Sequence, residues 1–329
     1  MYIPGAKRLE RVFRPIRTFF RPGGLILGYH RVADDAWAPL GLCTTPGNFR
    51  EHLAVIREHF TPVSMATLVS RLIEGKQTTG LAAITFDDGY ADFIEHALPE
   101  LEDAQIPATV FVTTGNAGKP FWWDHLSHSL GHTKPESSPL ELKWAGSESR
   151  VTVDANASPE AQADLARLLC RELAHIAKDD RVSVLEKLAT WSDTQSSVSK
   201  MPRSLTESEI RFLADANGIE IGCHTVSHPF LANLPLDTQR EEIEGSRDSL
   251  KNLLARISVK GFSYPNGSFS EPTVSLVQRS EFQYACTSQQ SVVRKSAHAY
   301  RLPRVWSPNL AGPEFRRWLS QWRGGRLRQ

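Results

Sequence analysis

Ala82-Ala83-Ile84-Thr85-Phe86-Asp87-Asp88-Gly89-Tyr90 begins as an apolar, β-prone run and ends on two adjacent carboxylates and a glycine. Side chains alternate along a strand, so Asp87 and Asp88 can reach one cavity only where the strand ends and the chain bends. Gly89 suits that bend. Two carboxylates in one place repel each other unless a cation or a shared proton separates their roles. A metal ligand beside a general base meets that condition. The same letters also serve as a solvated Asp-Asp-Gly turn, so the segment needs support from elsewhere.

Six more runs look like the first. Leu25–His30, Ala108–Thr113, Ile219–His224, Val259–Tyr264, Gln283–Thr287 and Tyr300–Trp306 are the other candidate strands. Helical patterns lie between them, at about 46–58, 65–74, 91–104, 206–217, 237–255 and 271–280. Alternation of strand and helix predicts an α/β protein with parallel strands wrapped by helices. Polar residues at the carboxyl ends of these runs (His30, Asp87, His224) favour a barrel, which gathers chemistry there.

One interval breaks the rhythm. The chain between Thr114 and Ile219 is far longer than a single crossover needs. Residues 140–154 alternate like a hairpin turning at Gly146. Residues 158–190 read as one or two helices, opened by Ser158 as cap and Pro159 at the first helical position. We therefore expect a mixed α/β insertion at about 130–205 within a domain of residues 24–320.

His224-Thr225-Val226-Ser227-His228-Pro229 follows the strand candidate Ile219–His224. On a helical turn, imidazoles four residues apart share a face. Two imidazoles and a carboxylate suit zinc, and also cobalt, nickel or iron. Two unrelated histidines would give the same spacing, but the pairing with Asp87-Asp88 at another strand end favours one shared site.

These segments carry a resemblance. TFDDGY and HTVSHP resemble the first two motifs of the polysaccharide deacetylase family, also called the NodB homology domain or carbohydrate esterase family four. Gly28-Tyr29-His30-Arg31-Val32, Phe121-Trp122-Trp123-Asp124, Gly261-Phe262-Ser263-Tyr264-Pro265-Asn266-Gly267 and Leu302-Pro303-Arg304-Val305 resemble further family segments. The resemblance covers roughly residues 25–320, without the insertion. It implies a distorted (β/α)7-type barrel. It implies a metal-dependent hydrolase that removes an N-acetyl or other short N-acyl group from a sugar in a polysaccharide, oligosaccharide or glycolipid precursor. It implies one divalent metal, zinc first, on Asp88, His224 and His228, with Asp87 as general base. It places an oxyanion donor at the Asn266 backbone and puts Tyr264, Pro265, Trp123 and Asp124 beside the substrate.

The chain departs from the family pattern twice. The third motif usually holds an Arg three residues before an aromatic; here those positions are Ser263 and Asn266. Arg304 is the candidate to orient Asp87 instead. The late Leu-x-His motif that supplies a general acid is missing, which leaves His30 as candidate acid or partner of the metal ligands, ahead of His298. The other readings are a deformylase or amidohydrolase, an O-deacetylase, and a glycan-binding relic.

Composition adds location. Residues 1–23 hold six basic residues and one acidic, and residues 316–329 hold five Arg and no acid, so the body between is acidic. Leu9, Val12, Phe13, Ile16 and Phe20 recur among the N-terminal basic residues, which predicts a basic amphipathic arm over 1–23 in peripheral contact with an anionic membrane. Residues 321–329 read as a basic tail. No nucleic-acid recognition motif accompanies the charge. Four cysteines without CxxC spacing (Cys43, Cys170, Cys223, Cys286) suit reduced thiols and a cytoplasmic setting. The charged run Arg240-Glu241-Glu242 reads as a solvated helix face.

Overall fold

The computed structural model describes residues 23–322 apart from 36, 134–136, 145–149 and 256–257. The expected basic arm and tail therefore lie almost wholly outside the described residues.

All seven expected strands form one parallel sheet: β1 (Leu25–Tyr29), β2 (Leu81–Phe86), β3 (Ala108–Val112), β4 (Ile219–Cys223), β5 (Gly261–Ser263), β6 (Tyr284–Cys286) and β7 (Val305–Trp306). Their spatial order is β6-β5-β4-β3-β2-β1-β7. A parallel bridge from Cys286 to Leu302 brings the run before β7 back against β6. The chain from Leu302 to Trp306 thus spans from one sheet edge to the other and bends the sheet into a distorted barrel. Strands β1 and β3 are buried at every residue, as expected when helices cover both faces of a parallel sheet. Register aligns the carboxyl ends: Tyr29 pairs with Phe86, and Val112 with Cys223. Asp87 and His224 follow directly, so both emerge at the same rim.

The helices start where local chemistry lets them. In α1 (Pro46–His59) the Thr45 hydroxyl accepts from the Asn48 N–H and Pro46 takes the first turn. The pattern at 91–104 is not one helix. A single π-turn, Phe93–Ala97, precedes Leu98–Ala104, because Pro99 has no N–H to continue the i→i−4 ladder. A helix at Gly312–Ser320 was not anticipated; its Phe315 is buried and stacks on His52 at 3.6 Å.

The insertion has its own core. A hairpin pairs Leu140–Leu142 with Val151–Val153, and helices Trp122–Gly131, Pro159–Leu173 and Lys178–Ser192 close over it with Leu126, Leu169, Leu173, Val184 and Leu188. Ser158 caps its helix by accepting from the Ala161 N–H. No described helix is long and apolar enough to cross a membrane.

Candidate active site

Asp88, His224 and His228 bring one donor atom each within 4.8 Å of one another. The Asp88 Oδ1 lies 3.5 Å from His224 Nε2 and 3.3 Å from His228 Nε2. That oxygen is buried and accepts no hydrogen bond. His224 donates from Nδ1 to the Ser263 carbonyl at 2.7 Å, which leaves the Nε2 lone pair facing inward. A buried orphan carboxylate oxygen against imidazole nitrogens is a donor set that fits a divalent cation. The electrostatics agree. Burial, then the Asp87 charge, pushes the Asp88 carboxyl well above its usual range, and burial pushes both imidazoles below theirs.

The imidazoles do not converge through a helical turn. Thr225 and His228 have φ of 66° and 60°, and Asp88 has 69°. Three non-glycine residues in the left-handed region at one site store strain that the surroundings must hold. Glu242 holds much of it: its Oε2 accepts from the Val226 and Ser227 N–H groups at 2.9 and 2.8 Å. The Thr225 hydroxyl accepts from the His228 N–H at 3.0 Å. Glu242 is thus a strut under the ligand loop and not part of a merely solvated face. Outer partners of metal ligands typically contribute 10–100-fold to affinity, so Glu242→Ala should weaken the binding of a divalent cation at this candidate site by about that factor. Competition against a chromophoric chelator measures it, and unchanged affinity would refute the strut.

Arg304 meets Asp87 as a two-pronged pair. Nη1 donates to Oδ1 at 2.6 Å and Nη2 to Oδ2 at 2.7 Å. Nη2 also donates to the Ser263 hydroxyl at 2.9 Å, Nε to the Thr287 carbonyl at 3.1 Å, and Ser263 donates to Asp87 at 3.1 Å. The guanidinium is fully buried and flanked by the Trp306 ring at 4.6 Å. Burial alone would raise the Asp87 carboxyl, but Arg304 and His224 hold it well below the usual carboxylate range.

A cleft of about 1130 Å³ opens over this cluster, lined by Asp87, Asp88, His224 and His228 and also by His30, Trp123, Asn266 and Trp306. His30 stacks on Trp306 at 4.5 Å; burial pushes its imidazole down to about 4 despite the Asp87 charge. Trp123 packs on the His228 ring at 4.8 Å and donates to the Tyr90 hydroxyl at 2.7 Å. Asn266 has φ 54° in the turn after β5.

Three expected substrate contacts do not line the cleft. Asp124 caps its helix, accepting from the Phe121 N–H at 2.9 Å and from the Tyr90 hydroxyl at 3.0 Å. Tyr264 is fully buried and donates to the Tyr300 carbonyl at 3.1 Å, and Pro265 is buried too. Through its bond to the Phe121 N–H, Asp124 holds a residue that does line the cleft. His298 also lies outside the cleft, accepting from the Tyr300 N–H at 3.3 Å. The reading of the sequence missed Ser263 as a partner of Asp87; a hydroxyl at a strand's carboxyl end was the available signal.

A sequence model of the polysaccharide deacetylase family matches residues 74–143 and 188–285. The chain belongs to the polysaccharide deacetylase family. The polysaccharide deacetylase homologue YxkH of Bacillus subtilis is 29% identical over 112 residues, which is 34% of this chain and 39% of that protein. The match therefore spans well under half of that relative's length. Solved structures are similar across nearly the whole chain. The deacetylase PplD of Streptococcus pyogenes, solved with acetate, has a TM-score of 0.59 at 18% identity, covering 92% of this chain and 99% of that one. IcaB from Ammonifex degensii gives 0.59 at 18%, covering 92% and 98%. At that identity the likeness establishes the shared fold, the NodB-like distorted barrel. Residues 144–187, inside the insertion, fall outside the family match.

Proposed function

We propose that this polysaccharide deacetylase family member hydrolyses the N-acetyl, or another short N-acyl, group of a sugar in a polysaccharide, oligosaccharide or glycolipid precursor, with a divalent metal. The observation that carries this is the unpartnered Asp88 oxygen facing His224 and His228 beside an Arg-locked Asp87, at the floor of one cleft. Asp88, His224 and His228 would hold the ion, with zinc best suited to the donor set and cobalt, nickel or iron compatible. When bound, such an ion supplies Lewis acidity to an acyl oxygen and brings the pKa of a water toward neutrality.

The chain's own residues do the rest. Asp87 is ionised at neutral pH, and Arg304 and Ser263 fix both its oxygens, so it receives a proton from water in one orientation. The Asn266 N–H, at the cleft lining, donates to the oxyanion that develops on the acyl oxygen. His30 is neutral at pH 7 and so is not the resting proton donor; stacked on Trp306, it shapes the wall. The proton gained by Asp87 is then the one available to the leaving amine.

Asp87→Asn should lower acetate release from N-acetylated oligosaccharides by roughly 10²–10⁴-fold while the protein still binds zinc. The assay runs with zinc, cobalt or nickel and with a chelator control. Wild-type turnover in Asp87→Asn would remove Asp87 from the mechanism. No release by wild-type protein with any of the metals would overturn the deacetylase reading.

We propose a cytoplasmic location with the basic arm on the inner membrane face, supported by the free thiols and the arm's composition. Flotation with anionic liposomes should carry the full chain and leave behind a form lacking residues 1–22. Equal flotation of both forms would dispose of the arm's role.

A further inference from the structure

The insertion places positive charge along the same cleft. The carboxyl end of helix Pro159–Leu173 and the start of helix Lys178–Ser192 form one wall of it, through Arg171, His175, Lys178 and Arg181 among others. Among the described residues the acids lining the cleft are Asp87 and Asp88; Asp179 and Asp180, next to Lys178, are not part of its lining. Arg171 shares its charge with Glu172 at 3.3 Å. Lys178 and Arg181 have no carboxylate partner among the described residues. Arg181 lies instead over the Trp122 ring at 4.8 Å and donates to the Leu173 carbonyl at 3.4 Å. Ring contacts link it to the metal site: Trp122 packs on Trp123 at 5.5 Å, and Trp123 on His228 at 4.8 Å.

A half-buried guanidinium that is stacked and hydrogen-bonded, yet not neutralised, retains donors for an incoming anion. The wall also comes from the stretch 144–187, which lies outside the residues that the family model matches.

We propose that Lys178 and Arg181 bind an anionic group, phosphate or carboxylate, carried by the N-acylated sugar, so that the cleft selects anionic glycans over neutral ones. This rests on the deacetylase reading for the identity of the sugar, and on the wall alone for the anion.

The test is equilibrium binding of three labelled probes to the zinc-loaded full chain: neutral chitotetraose, chitotetraose 1-phosphate, and a tetramer alternating N-acetylglucosamine and glucuronic acid. At low salt at least one anionic probe should bind about tenfold tighter than the neutral one, as expected for charge-assisted hydrogen bonds. The advantage should shrink as salt rises. Lys178→Gln combined with Arg181→Gln should remove most of the preference, and Lys178→Gln alone, at an exposed site where folding is not at risk, part of it. Which anionic probe gains identifies phosphate or carboxylate. Equal affinities for all three probes, or a full preference surviving in the double variant, would overturn the proposal. Acetate release from the same probes separates the two readings. Anion preference without release counts against the deacetylase and leaves the anion site standing; release without preference does the reverse.

Discussion

Arg304→Ala should lower the free energy of unfolding by about 3–5 kcal/mol, the usual cost of removing one partner from a buried ion pair. The cost comes from what remains. Asp87 stays buried with no counter-charge on either oxygen, and the Ser263 hydroxyl and Thr287 carbonyl lose a donor. Acidity reports the mechanism. In the wild type the folded Asp87 carboxyl is held below its unfolded value of about 3.9. Its contribution is therefore present above that value and lost as pH falls through the lower, folded one. In the variant, burial acts without Arg304 and raises the carboxyl, so protonation relieves the strain. The stability gap between the two proteins should therefore narrow as pH falls, starting above about 4, where the raised carboxyl of the variant takes its proton, and continuing below it as the wild type loses its contribution. Arg304→Lys should recover more stability than turnover, because an ammonium supplies charge but no fork to orient two oxygens. Urea unfolding of the three proteins at several pH values measures this. An Arg304→Ala protein as stable as wild type at pH 7 would show that the pair is not holding Asp87.

The barrel could be read from the sequence because a parallel sheet covered on both faces needs unbroken apolar runs, and Leu25–Tyr29 and Ala108–Val112 are such runs. The candidate metal cluster was readable for a related reason: Asp87, Asp88 and His224 are polar letters placed where two further runs, Leu81–Phe86 and Ile219–Cys223, stop. Local pattern could not show how the ligands are held. Glu242 lies on the helix that follows the loop it caps, and nothing in its own spacing distinguishes it from Glu241. The same limit applies to HxxxH, where a helical turn was the natural expectation and left-handed bends at Thr225 and His228 do the work instead. Motif membership also overstated contact. Ser263 and Tyr264 are neighbours at a strand end and point to opposite sides, so one hydroxyl reaches Asp87 while the other reaches the Tyr300 carbonyl outside the cleft. The basic wall was hidden for a third reason. Arg171, Lys178 and Arg181 sit on two helices whose exposed faces look ordinary until the insertion folds over the barrel.

Asp88→Asn should remove metal binding and lower turnover by about 10³-fold or more, since several kcal/mol of charge stabilisation goes with the ion. It should also make the metal-free protein more stable. Asp88 is buried beside Asp87, and its Oδ1 has no donor. Burial and the Asp87 charge raise its carboxyl. The sign follows from linkage: a carboxyl whose folded value is raised costs stability above its unfolded value, in full above the folded one, and the cost is relieved as pH falls. Asparagine keeps the shape and cannot ionise, so the thermal midpoint in chelator should rise above that of wild type. Zinc then separates the two proteins. Wild type should gain about 2.7 kcal/mol at a free zinc concentration 100 times Kd, while the variant should gain nothing, so their order of stability reverses. Such a reversal is expected of a residue that costs the empty fold stability and is offset only by a bound cation. A zinc-induced shift in Asp88→Asn equal to that of wild type would place the ion elsewhere. A midpoint in chelator well below wild type would mean that the carboxylate stabilises the metal-free fold.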